Sequence, residues 1–180
     1  MQAHIFVNVP DVRQTHPFDC GPACLRSIAK YFGVNKTEDD LIELCGADPD
    51  GADPHDIVKV AKSLGLEAEF HNNFTAEKLK AEIDKGRPVI CEIQAWGKPQ
   101  NYDKLNDGHY VIAVGYDDEY IFFEDPSLKF IRGFLTYEEM ESRWKEREND
   151  GSEYHHSVVV VWQESHPQNK KILNKARHIN

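Results

Sequence analysis

The hydrophobic period changes once along this chain, and that change limits the folds open to it. Up to Gly86 apolar residues mostly recur every three to four positions, the spacing of an amphipathic helix. One helix is expected from about Gly21 to Phe32, with Pro22 in its first turn and Leu25, Ile28, Ala29 and Phe32 on its core face. Thr37, Asp53 and Thr75 stand as N-caps ahead of three more. "LEAEF" alternates before the last of these. Beyond it, "RPVICEIQAW", "GHYVIAVGYD", "YIFFEDP" and "KFIRGFLTY" are short β-branched and aromatic runs bounded by turns. "VGYDDEYIFF" reads as a hairpin, Thr136 with Glu139 opens the helix "TYEEMESRWKERE", and "HHSVVVVWQ" reads as a buried strand.

Helices first and strands second imply an α+β domain, with an N-terminal helical half packed on a mainly antiparallel sheet. The 180 residues fit one domain, spanning 1–164, followed from Ser165 by a polar, basic tail to residue 180. The longest irregular stretch, Gly97 to Gly108, ends on a histidine.

A formal charge of −10 argues against nucleic acid or an anionic membrane as partner, because both require a cationic face. No apolar run is long enough to cross a bilayer, and residues 1–10 lack the pattern of a signal peptide. Four cysteines without a C-x-x-C pair weaken zinc and redox readings. The expectation is a cytoplasmic protein with reduced thiols and no cofactor.

"RQTHPFDCGPACL" sets Cys20 at the junction between a polar, turn-prone segment and the first helix. A cysteine attacks as the thiolate, and the N–H groups and dipole of a helix N-terminus favour that anion. Gly21 lets a ligand approach the backbone, and the Cys20 N–H can donate to an oxyanion. The nucleophile then needs a base held by a third group. Among nine histidines, His109 sits where a strand leaves the long loop, and the hairpin returns Asp125 to its level sixteen residues on. Gln14, six residues ahead of Cys20, suits the second donor of an oxyanion hole. Each also has a plainer use: Cys20 as buried filler, His109 as a satisfied strand residue, Asp125 as a turn former with Pro126.

Together, "RQTHPFDCGPACL" and "DGHYVIAVGYDDEYIFFEDPS" resemble the bacteriocin-processing cysteine peptidases of the papain-like superfamily, over about Val12 to Trp162. The resemblance implies a papain-like fold, cleavage of peptide precursors after a double-glycine leader, and a catalytic set of Gln14, Cys20, His109 and Asp125. It points to a stand-alone member without the ABC transporter, and to a peptide or protein as partner. Acyl transfer through the same acyl-enzyme, and a non-catalytic peptide-binding module of the same fold, are the alternatives.

Gly21, Gly108, Trp96 and Tyr110 flank the expected cleft and are candidates for substrate contact; Tyr102 lies near them. Cys24, Cys45 and Cys91 read as structural. "ADPDGADPHD" gathers four aspartates around a glycine, but the spacing is not that of a calcium loop, and turn formation with helix capping accounts for it. His155 and His156, adjacent in an expected strand, point to opposite faces and make no metal pair.

Overall fold

A computed structural model of the chain describes residues 6–129, 131–148, 150–164 and 176–179. The helices come largely first: α1 (Cys20–Tyr31), α2 (Glu38–Leu44) and α3 (Pro54–Ser63). Strand β1 (Glu67–His71) and helix α4 (Ala76–Asp84) follow. Then come β2 (Val89–Gln94), β3 (Gly108–Tyr116), β4 (Tyr120–Glu124), β5 (Arg132–Thr136), α5 (Tyr137–Arg143), β6 (Lys145–Arg147), β7 (Glu153–His155), β8 (Val158–Trp162) and β9 (Ala176–His178). Thr37, Asp53, Thr75 and Thr136 each accept a hydrogen bond from a first-turn N–H, as their positions before apolar-periodic segments predict.

Seven strands form one sheet in the order β1-β8-β2-β3-β4-β5-β9, antiparallel except where β9 runs parallel to β5. The interior strand β2 is buried along its whole length, and α1 packs on β3 with Leu25, Ile28 and Ala29 fully enclosed. Below the helices, Trp144, Phe6 and Phe123 are among the largest side chains sealed in the core. The expected α+β layering is therefore present, with a helical layer over a mainly antiparallel sheet. Among the described residues no helix is long and apolar enough to cross a membrane.

Three segments differ from expectation. The helix opened by Thr136 stops at Arg143, because Lys145–Arg147 pair with Glu153–His155 in a separate two-stranded ribbon. His156 adopts a positive φ of 54° between β7 and β8, so the two histidines do not share a strand. Gly97–Gly108 is not wholly irregular. It contains a 3-10 helix over Pro99–Lys104, its stems are tied by the Ala95 N–H on the Asp107 carbonyl at 2.9 Å, and Tyr102 is buried beneath it. Of the expected tail, residues 165–175 lie outside the described residues. Farther on, Ala176–His178 extend the sheet and Ile179 is buried.

Candidate active site

Cys20 is the first residue of α1 and is buried, with 7% of its surface exposed to a cleft of about 400 Å³ that it helps to line. Asp19 holds the N-cap position, yet its carboxylate turns away from the helix to accept the Thr15 and His16 N–H groups at 3.3 and 3.2 Å. No side chain caps the first turn. Pro22 has no N–H to leave unpaired, so the donors remaining there belong to Cys20 and Gly21. Gly21 faces the core closely: a Cβ on it would stand 3.1 Å from Ile57 and 3.2 Å from the Tyr110 ring.

His109 comes from the start of β3, and Asp125 follows the end of β4. Their meeting depends on one extra residue. The ladder pairs Gly115 with Phe122 but Ala113 with Phe123, so Val114 has no partner in β4. A one-residue slip exchanges the two faces of a strand. Continued from the outer register, Asp125 would fall on the face opposite His109; the bulge returns it to the same face. The Val114 carbonyl left over by the bulge accepts the Val7 N–H at 2.6 Å, and the Phe6 ring fills the space that a Cβ on Gly115 would need.

The result is a buried pair. His109 Nε2 lies 2.8 Å from Asp125 Oδ1, and both side chains are 1% exposed. Burial alone would lower the imidazole pKa, but hydrogen bonding to Asp125 and Cys20, with the charges of both, pushes it up to about 9. Burial would raise the Asp125 carboxyl, yet its bonds to His109 and Ser127 hold it below the ordinary carboxylate range. With Nε2 committed to Asp125, Nδ1 is the ring nitrogen left for Cys20. The Ser127 N–H and hydroxyl both donate to the same Asp125 oxygen, at 2.8 and 2.7 Å, and fix it in place.

The strap before α1 is pinned to this corner. Gln14 N–H donates to the Pro126 carbonyl at 3.1 Å, and Arg13 donates to the Asp125 carbonyl at 3.2 Å and to Glu124 at 3.0 Å. Arg132 takes the other Glu124 oxygen at 2.8 Å. The Gln14 side-chain amide donates to the His16 carbonyl at 2.8 Å, which uses one of its two hydrogens, while its Oε1 is buried without a partner.

Cys20, His109, Gly108 and Tyr110 line the cleft together with the Pro49–Ala52 turn, Leu105 and Asn106. Two of the expected substrate contacts, Gly21 and Trp96, are not among the residues that line the cleft: Gly21 faces the core against Ile57 and Tyr110, and Trp96 stands beside the imidazole. The Trp96 ring packs on the His109 imidazole, 4.7 Å between centroids, and stays 40% exposed. Tyr110 donates its hydroxyl to the Ala52 carbonyl at 2.8 Å and so joins the turn to the sheet.

The structure adds residues to the cleft that sequence reasoning did not single out: Glu92, Glu146 and Glu148. A signal existed for the first, a charged residue inside the otherwise apolar run "VICEI". The other two lie on β6 and just after it, in the stretch that the sequence assigns to the helix "TYEEMESRWKERE". Among the described residues, His16, Asp19 and Glu38 also bring one ligand atom each within 4.8 Å of one another. These atoms already bind Thr15, Arg26 and each other, and so hold the strap rather than an open coordination site.

Residues 8–147 match the family model of the peptidase C39 family. An uncharacterized protein of Methanothermobacter marburgensis is 28% identical over 121 residues, 67% of this chain and 74% of that protein. The lactococcin-G-processing and transport ATP-binding protein LagD of Lactococcus lactis is 31% identical over 126 residues, 70% of this chain but 16% of LagD. Among solved structures, a double glycine motif protease from an AMS/PCAT transporter in complex with the leader peptide superimposes with a TM-score of 0.65 at 20% identity, covering 90% of this chain and 99% of that one. That likeness identifies the fold as papain-like. The match of the family model over most of the chain establishes that this protein belongs to the peptidase C39 family.

Proposed function

We propose that this protein is a cysteine peptidase that hydrolyses peptide bonds through Cys20, His109 and Asp125. The observation that carries the reading is the buried His109–Asp125 pair, whose imidazole also interacts with Cys20 at the first turn of α1. The Cys20 thiolate attacks the carbonyl carbon, and negative charge moves to the carbonyl oxygen. The Cys20 N–H and the second amide hydrogen of Gln14 stabilise that oxyanion. As the C–N bond breaks, His109 Nδ1 gives its proton to the leaving amine, and a thioester remains on Cys20. Nδ1 then takes a proton from water, the hydroxide attacks the thioester, and sulfur leaves as thiolate with the imidazolium restored beside it. Asp125 keeps the ring in one tautomer throughout.

Two further features support a peptide substrate. LagD is a lactococcin-G-processing and transport protein, and the solved double glycine motif protease is in complex with the leader peptide. The cleft wall beside Cys20 is lined by Gly51 and Gly108, and Glu146 already fills the space a side chain at Gly108 would need. Such a passage favours glycine next to the scissile bond.

The test is incubation of the purified chain with a synthetic leader-type peptide containing Gly-Gly, with products identified by mass. Scission after a glycine is expected, with Cys20→Ala and His109→Ala both inactive. Cleavage that survives Cys20→Ala, or wild-type protein that leaves every such peptide intact, overturns the reading.

A further inference from the structure

The cleft gathers, beside Gly108 and Tyr110, a group of carboxyls that the hydrolytic mechanism does not use. Glu92, Glu146 and Glu148 line it together, with Asp50 on the Pro49–Ala52 turn. Glu92 is 3% exposed, and its Oε2 is buried with no hydrogen-bond partner. Glu148 Oε1 is likewise buried with no donor from the chain, and its carboxyl stands against that of Glu92. A buried acceptor without a donor is costly, more so when charged, and calls for an explanation such as a ligand that supplies the donor.

The nearby cations are already spent. Arg147 forms a two-nitrogen contact with Glu153, at 2.6 and 3.0 Å, and Lys145 pairs with Asp103. Among the described residues no lysine, arginine or histidine forms an ion pair with Glu92, Glu146 or Glu148. Gln94, fully buried, donates to Glu146 Oε2 at 3.0 Å, and the Arg147 N–H donates to Glu146 Oε1 at 2.8 Å. These contacts hold Glu146 in position but give the group no cationic partner. Burial pushes all three carboxyls above their ordinary range, to about 7 for Glu146 and about 8 for Glu148, where the charge of Glu92 adds to the effect. A cation seated among them would reverse that rise.

We propose that Glu92, Glu146 and Glu148 form a specificity subsite that receives a lysine or arginine side chain of the substrate peptide while its scissile bond lies at Cys20. The proposal rests on the peptidase reading and narrows it from peptides to peptides carrying a cationic residue near the cleavage point. The chemistry matches on three counts. The donors of an ammonium or guanidinium answer acceptors that now have none. The aliphatic stem of either side chain suits passage over the Tyr110 ring, which lines the same cleft. A buried cation there meets opposite charge rather than bare desolvation.

The experiment compares peptide pairs built around Gly-Gly, in which each flanking position in turn carries lysine or its uncharged isostere norleucine. Both kcat/KM on the wild type and binding to the Cys20→Ala protein, by fluorescence anisotropy, are measured. At one position lysine is expected to exceed norleucine by about tenfold or more, the size that a charge-assisted hydrogen bond supplies. In Glu148→Gln and Glu146→Gln that lysine-to-norleucine ratio is expected to fall to about threefold or less, following the same principle. A ratio near one at every position overturns the subsite, and so does a ratio that both variants leave intact. If no peptide is cleaved, the peptidase reading falls, while the binding ratio on the Cys20→Ala protein still decides the subsite. Because the wild-type comparison needs no variant, misfolding of either glutamine protein does not rescue or sink the proposal.

Discussion

Replacing Asp125 by asparagine isolates the charge of the proposed triad's third member from its shape. Asp125 Oδ1 accepts from His109 Nε2 at 2.8 Å and from the N–H and hydroxyl of Ser127. Those two serine donors demand an oxygen at that site, so the asparagine is expected to present its carbonyl there and its amide nitrogen on the other side. His109 then still donates from Nε2, and Nδ1 remains the free nitrogen. What disappears is the carboxylate's charge. The imidazole is held at about 9 against an ordinary value near ~6.5, a net preference for the charged ring of roughly 3 kcal/mol that survives an opposing burial effect. Asp125 supplies one of the two hydrogen bonds and one of the two charges responsible. Without it burial prevails, and the His109 midpoint should drop by at least about 1.5 units, or roughly 2 kcal/mol.

The assay is NMR titration of imidazole-labelled protein, which needs no substrate, alongside kcat/KM for a cleaved peptide. In Ser-His-Asp enzymes the same exchange costs about 10⁴-fold because the asparagine imposes the wrong tautomer. Here the Ser127 contacts preserve the tautomer, so a loss nearer 10- to 100-fold is expected, of the order of a missing charge-assisted contact. Asp125→Ala, which frees the ring to turn, should approach the larger figure, about 10⁴-fold. A His109 midpoint unmoved near 9 in Asp125→Asn refutes the reasoning, since Asp125 would then contribute nothing to the imidazolium.

Brief iodoacetamide treatment of the native protein should modify one cysteine, Cys20, whereas the unfolded chain takes up four equivalents. Burial raises the thiols of Cys24, Cys45 and Cys91 well above their ordinary range, and appreciable native labelling at any of these by peptide mapping contradicts the packing described. Thermal stability should fall as pH rises from about 6 to 9. His109 is raised in the folded state, so its contribution is complete below ~6.5 and lost through about 9; Glu146 and Glu148 are raised too, so theirs is lost through about 7 and 8. Calorimetry should show Glu148→Gln flattening that decline, and a melting temperature that climbs over the same range has the wrong sign.

How far the chain discloses its own design depends on whether each device is local. The helix caps at Thr37, Asp53, Thr75 and Thr136 are local, and so they read correctly. The placement of Cys20 at a helix start is local too, because Gly-Pro fixes the entry within two residues. The meeting of His109 with Asp125 is not local. Alternation and hairpin length bring the two to the same level, but the face on which Asp125 emerges is decided by the extra residue at Val114. No property of that valine marks it. The bulge is set by contacts from outside the hairpin: Val7 accepted by the orphaned Val114 carbonyl, and Phe6 seated against Gly115. The acidic wall was hidden for a related reason. Glu146 and Glu148 belong to a segment whose composition suits a helix, and what makes it a strand is its pairing with Glu153–His155 across a turn. Glu92 alone announced itself, as a charge in a strand sealed on both faces. The proposed catalytic chemistry is thus written in residue types at fixed spacing, while the strand face that assembles it and the carboxyls that would select its substrate are written in pairings between distant segments.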